Sequence, residues 1–163
     1  MSVVLSVQAV RSRKLAAVRR EVAPGAVASS WKPSLDQVWQ FLRSQPGLRT
    51  DGHNVFLYHH PIEPGAPTLC DFGVEVVRTF ETAGNVFATE TPAGEAVVAV
   101  YRGPYSGMNE AHNAIGKWMV ANQRESAGHS WEIYGDPTPN PAETETIVVY
   151  LLREGRENSI AHE

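Results

Sequence analysis

The residues most able to do chemistry stand together near the C-terminal end of the chain. Glu132 lies in Trp131-Glu132-Ile133-Tyr134, between Ser130 and the loop Gly135-Asp136-Pro137. Aromatic and β-branched residues followed by Gly-Asp-Pro read as a short strand entering a turn. On a strand, Glu132 and Tyr134 share one face, and Trp131 and Ile133 take the other. An unpaired carboxylate is costly to bury, so Glu132 must reach solvent, find a partner, or meet a cationic ligand. Its apolar flanks predict a pKa raised by desolvation. Such a group serves either as the counter-charge of a bound cation or as a general acid or base.

Other chemistry is poorly supported. His59 and His60 are adjacent, so on a strand they point to opposite faces and cannot readily share a metal. His53, His112 and His129 show no ligand spacing with Cys70 or an acid. Cys70 follows Leu69 and precedes Asp71, with no basic neighbour in sequence, and reads as a buried small apolar group. The chain has no phosphate loop, dinucleotide fingerprint or nucleophile elbow. No cofactor and no metal are expected.

The chain has 163 residues and a formal charge of −4, with a sequence pI near 5.9. That length suits one domain with a substantial core. The charge carries no electrostatic footprint for nucleic acid. The early basic residues Arg11, Arg13, Lys14, Arg19 and Arg20 read as a solvated strand edge. A single cysteine excludes an internal disulfide and fits a reducing compartment. There is no apolar run of membrane-spanning length and no signal-peptide pattern, so the expected location is cytoplasmic, with no membrane partner. Residues 154–163 form a polar tail expected to fray.

The elements that would position Glu132 follow a repeated order. Val3 to Val10 and Leu15 to Val22 read as extended, with a kink or bulge at Arg11-Ser12-Arg13. Ser34 with Gln37 forms a capping-box pattern, and Leu35, Val38, Trp39 and Leu42 make a helical apolar stripe over about residues 34–45. Asn54 to His60 and Leu69 to Arg78 read as strands, and Thr82 to Gly94 as a linker with a short extended piece at Val86 to Ala88. Glu95 to Arg102 is a Val-rich strand. Ser106 is placed to cap a helix over 107–126 with the stripe Met108, Ala111, Ile115, Trp118 and Met119, stopped by Gly128. His129 to Tyr134 and Thr144 to Leu152 complete the set.

Strand-helix-strand-strand therefore occurs twice, in pseudo-repeats of about 1–80 and 90–153, which predicts an α+β fold in a single domain over 1–153. The duplicated βαββ halves would form one antiparallel sheet with two helices on one face and a ligand groove between the halves. Aligning the repeats places Phe56 opposite Glu132 and Tyr58 opposite Tyr134, so three rings and one acid converge on a pseudo-twofold axis. Trp39 and Trp118 lie on the helix stripes, where either could close over the groove from above.

Several of these segments resemble a known family. Thr91-Pro92-Ala93-Gly94-Glu95, the Val-rich strand into Arg102-Gly103-Pro104-Tyr105, the helix carrying Ile115 and Trp118, Trp131-Glu132-Ile133-Tyr134, Asp136-Pro137 and the closing Thr/Ile/Val/Tyr strand resemble the gyrase-inhibitor-like (GyrI-like) small-molecule-binding domain. That family includes the effector-binding domains of bacterial multidrug-responsive transcription regulators, and the resemblance runs from about Val3 to Leu152. It implies that Glu132 and Tyr134 face a hydrophobic pocket for lipophilic cations, and beside it the residues themselves suggest Phe56, Tyr58 and Tyr105 as rings that stack on planar, hydrophobic, preferably cationic compounds. Some stand-alone members hydrolyse strained, DNA-alkylating cyclopropane compounds, which implies the alternative of a hydrolase with Glu132 as acid or base beside Tyr134. Met1 to Val10 already reads as the first strand, so the expectation is a free-standing sensor, sequestering protein or enzyme whose partner is a small molecule.

Overall fold

The structure is a computed structural model that describes residues 2–23 and 25–154. The polar tail therefore lies almost wholly outside the described residues. Eight strands and two helices follow in the order β1 (Ser2–Val10), β2 (Lys14–Val22), α1 (Val27–Arg43), β3 (Asn54–His59), β4 (Thr68–Glu75), β5 (Phe87–Glu90), β6 (Gly94–Arg102), α2 (Asn109–Ala121), β7 (Ser126–Tyr134) and β8 (Glu145–Leu152). All strands pair antiparallel in one sheet of order β1-β6-β8-β7-β3-β4-β2-β5. The predicted α+β duplication is present: β2-α1-β3-β4 and β6-α2-β7-β8 each form three neighbouring strands, and β3 meets β7 at the centre. Each half is completed by an edge strand from outside its own βαββ unit, β1 beside β6 and β5 beside β2.

Arg11 to Arg13 is more than a kink. These three residues connect β1 to β2, which lies six places away across the sheet. Six strand spacings in a flat sheet come to about 29 Å, whereas three linking residues reach about 14 Å at most. The sheet must therefore roll up. Thr91 to Ala93 makes the matching link from β5 to β6, and the two links are tied together where they meet. The Thr91 amide donates to the Arg13 carbonyl at 3.0 Å, and the Arg13 amide donates to Thr91 Oγ1 at 2.8 Å. Leu15 of β2 shares an apolar cluster with Ala96 and Val98 of β6, together with Val55, Leu57, Trp131, Ile133 and Val149. Only a rolled sheet brings those strands into contact.

Both helices pack on the outer face, as expected. Phe56, Glu132, Val148 and Ala99 stand in one row of directly paired residues. Phe56 packs in the cluster of Leu35 and Val38 from α1, while Val148 and Ala99 pack with Ala111 and Ile115 from α2. The helix ends differ from expectation. α1 starts at Val27 and runs through Pro33, so Ser34 is a buried interior residue and not a cap. The ring is tolerated because it costs only the bond to the Ser29 carbonyl, and Pro33 and Ser29 both lie on the exposed face. Ser106 likewise caps nothing, since it belongs to a 3-10 turn, Tyr105–Gly107, that precedes α2. Gln123, with φ of 53°, ends α2 in place of Gly128. Arg124 N donates to Met119 O and Gln123 N to Val120 O, which satisfies the last carbonyls in a Schellman closure.

Candidate functional site

Rolling the sheet and placing both helices outside leaves a cleft above β3 and β7. It is a cavity of about 660 Å³. Its floor consists of alternate residues from the two central strands: Asn54, Phe56, Tyr58 and His60 from β3 and its end, and Ser130, Glu132 and Tyr134 from β7. β8 adds Tyr150. Val27, Ala28, Trp31 and Leu35 of α1 form one wall, Asn109 and His112 of α2 the other, and Tyr105, Gly135 and Pro137 the rim. Gly135 is required at the rim, because a Cβ there would stand 2.7 Å from the backbone oxygen of Glu145.

Glu132 is buried at 6% exposure and fully engaged. Tyr58 and Tyr134 donate their hydroxyls to Oε1 at 2.7 and 2.6 Å, and His112 Nε2 bonds Oε2 at 2.7 Å. Burial alone would raise the carboxyl pKa. The donors from His112, Tyr134 and Tyr58 outweigh it and hold Glu132 below its ordinary value. The expected upward shift is thus reversed, because the carboxylate is hydrogen-bonded and not merely desolvated. Burial, reinforced by the Glu132 charge, pushes both tyrosine hydroxyls far above their usual value, so they remain donors.

A chain of polar groups leads away from the carboxylate. His112 Nδ1 bonds the Tyr150 hydroxyl at 2.7 Å, and His60 Nε2 bonds Ser130 Oγ at 2.6 Å. The His60 and Tyr150 rings lie 13° from parallel with centroids 6.0 Å apart. Burial lowers the His60 pKa, with the other histidines adding to the effect. Aromatic edges surround the acid: Phe56 meets Tyr134 at 4.8 Å, Tyr105 meets Tyr134 at 5.8 Å, and Trp31 meets Phe56 at 6.2 Å.

The cavity therefore brings together Glu132, Tyr134, Phe56, Tyr58 and Tyr105. It does not include Trp39 or Trp118. Trp39 packs beside the α1 cluster, donates Nε1–H to Asn54 Oδ1 at 3.0 Å and lies under Arg49, while Trp118 packs beside the α2 cluster. Trp31 takes the place at the α1 wall, one turn before the stripe that was legible in sequence. Sequence reasoning also missed His60, His112, Ser130 and Tyr150. Strand alternation could have given His60 and Ser130, two residues from Tyr58 and Glu132. His112 and Tyr150 come from α2 and β8, and only packing places them here.

Among the described residues, His59 and His129 serve elsewhere, with their Nδ1 atoms 3.1 Å apart. His59 turns to the inner face, where its Nε2 and the Arg19 guanidinium hold fully buried Asp71 at 2.7–3.0 Å. Arg19 stays exposed, beyond the part of β2 that β5 pairs, as a solvated edge would have it, and from there its guanidinium also partners the buried acid. Among the described residues, no group of three or more His, Cys, Asp and Glu side chains could hold a metal. Cys70 is fully buried, its thiol pKa pushed up by burial.

The sequence profile of the GyrI-like small molecule binding domain matches residues 6–151. The chain belongs to that family. Solved structures share its fold at low identity. The EcmrR C-terminal domain superposes with a TM-score of 0.78 at 19% identity, over 95% of this chain and all of that one. EcmrR in its complex with DNA superposes at 0.76 with 19% identity, where 94% of the GyrI-like chain matches 58% of the EcmrR chain. SAV2435, solved bound to tetraphenylphosphonium, gives 0.69 at 10% identity over 98% and 99% of the two chains. A hydrolase from Listeria innocua gives 0.55 at 12% identity over 91% of each. No protein of curated function matches the sequence. Among the described residues, no helix of this GyrI-like chain is long and apolar enough to cross a membrane.

Proposed function

We propose that this GyrI-like protein captures hydrophobic, planar, preferably cationic small molecules in the cleft between its helices, acting in the cytoplasm as a drug or toxin sensor, sequestering protein or resistance factor. The observation that carries the reading is a buried carboxylate, Glu132, held by His112, Tyr58 and Tyr134 on the floor of a cavity rich in aromatic rings. Rings supply burial at low conformational cost, and each cation–π contact contributes about 0.5–2 kcal/mol. The net charge of −4 adds a field that favours cations over nucleic acid. Tetraphenylphosphonium, the ligand bound by SAV2435, is a suitable first probe. Glu132→Gln keeps the shape and removes the charge. Quenching of Trp31, which lines the cleft, should report cation affinity falling at least about tenfold and affinity for neutral isosteres changing by less than about threefold. Equal binding of cations and neutral isosteres by the unaltered protein would sink this reading.

A second reading is supported by the same acid and its partners. A carboxylate held ionised between His112 and two tyrosine donors can accept a proton, so in a hydrolase of strained electrophiles Glu132 acts as the base that activates water, with Tyr134 orienting the substrate. Glu132→Gln would then abolish turnover of a cyclopropane-type substrate while leaving its affinity largely intact.

A further inference from the structure

Three groups hold Glu132, and they differ in one respect. Tyr58 and Tyr134 are neutral donors whose protons stay in place, so they spread the carboxylate charge without cancelling it. His112 can gain a charge of its own. No lysine or arginine lines the cleft among the described residues. The titratable groups around His112 are Glu132 and Tyr134 of β7, Tyr150 of β8, Tyr58 and His60 at β3, and Tyr105 at the rim. Of these, only Glu132 is an acid.

We propose that His112 sets the charge class of ligand: the cleft takes a cation while His112 is neutral and loses its preference for cations once His112 is protonated. This rests on the cation-capturing reading above and extends it. With neutral His112, Nε2–H donates to Glu132 and Nδ1 accepts from the Tyr150 hydroxyl, leaving one uncompensated negative charge under the ligand. A proton added at Nδ1 turns that nitrogen into the donor and the Tyr150 oxygen into the acceptor. The freed Tyr150 hydroxyl hydrogen then turns away from His112, on the side of Ser130, its direct partner across β7 and β8. Ser130 in turn can donate to His60 Nε2 at 2.6 Å. The His112 bonds to Glu132 and Tyr150 and the Ser130 bond to His60 persist in both states, and the acid becomes half of a neutral pair. A cation and this proton therefore compete for the same negative charge, and binding one must expel the other.

The test is isothermal titration of the full chain with tetraphenylphosphonium and with neutral triphenylphosphine oxide, from about pH 5 to about pH 8.5, where histidine titrates. The cation should bind at least about fivefold more weakly at the acid end, within the 5- to 150-fold range usual for coupled sites. It should release a proton there, seen as a dependence of the heat on buffer ionisation. The neutral compound should show neither effect. His112→Asn should bind the cation with no pH step, and His129→Asn, at a histidine outside the cleft lining, should keep the step. A pH-flat cation affinity, or a step that survives in His112→Asn, overturns the proposal while leaving cation capture standing. Equal binding of the two compounds at alkaline pH overturns cation capture itself. Proton release is read on the unaltered protein, so a variant that fails to fold does not shelter the idea.

Discussion

Glu132 is a contest between desolvation and donors, and three hydrogen bonds decide it. The two tyrosines converge on Oε1, which has no other partner, so removing both leaves that oxygen facing an apolar cleft. Tyr58→Phe together with Tyr134→Phe should therefore move the Glu132 pKa upward, toward the ordinary carboxylate range near 4.3. Carbon-detected NMR of the side-chain carboxyl would follow the titration. In the unaltered protein it should titrate below that range. A carboxyl that already titrates above it, or one indifferent to the loss of both hydroxyls, would contradict the account of the site.

At the scale of an element, α2 shows how a helix can be both scaffold and wall. Met108, Ala111 and Ile115 form its buried stripe against β6 and β8, and His112 stands one residue round from Ala111, where the stripe gives way to the cleft. Packing at Ile115 thus fixes the approach of His112 to Glu132. Ile115 is fully buried, and Ile115→Ala should cost about 2–5 kcal/mol through lost burial and the cavity left behind. Val120 on the same helix is 81% exposed, and Val120→Ala should change stability by about 0.5 kcal/mol or less. Denaturant midpoints at constant m-value would measure both. Similar losses at the two positions would mean the apolar face is misplaced.

Acid stability belongs to the whole molecule, because its titrating groups join strands distant in sequence. Asp71 on β4 is held by Arg19 from β2 and His59 from β3. Burial raises its pKa, but these two partners more than reverse the effect, and the folded value is depressed. The unfolded chain therefore binds protons more readily than the folded one near the ordinary aspartate value of 3.8. The Asp71 contribution is complete above that value and is lost as pH falls below it, toward the depressed folded value; Glu132 behaves the same way. His60 and His129 are also depressed, chiefly by burial, and add a loss that begins below the ordinary histidine value of 6.5. Stability measured by urea unfolding should fall continuously from about pH 7 to about pH 3, and Asp71→Asn should flatten the lower part of the curve. A stability maximum below about pH 4 would refute the sign.

Local pattern was enough for much of this protein. Strand alternation placed Glu132 and Tyr134 on one face, and matching the two repeats placed Phe56 opposite Glu132, where the register has them as direct partners, whereas Tyr58, matched to Tyr134, pairs with Ser130 because the strands run antiparallel. The apolar stripes gave Leu35, Val38, Ala111 and Ile115 as core, because a helix or strand reports its buried face through a period of 3.6 or 2 in its own residues. Other features carry no such signature. The helix starts were misread because Ser34 and Ser106 have capping chemistry whether or not a helix begins there, and packing carried α1 back through Pro33. The roll of the sheet follows from which strands are neighbours, a fact shared between segments and written in neither. The ionisation of Glu132 was decided in the same way. Its flanking residues argue for a neutral acid, and of the three groups that hold it charged only Tyr134 belongs to its own strand, while Tyr58 and His112 come from β3 and α2, 74 and 20 residues away. Burial of a side chain can be read from its own segment, but the partners that satisfy its charge are supplied by whichever elements the tertiary fold brings to it.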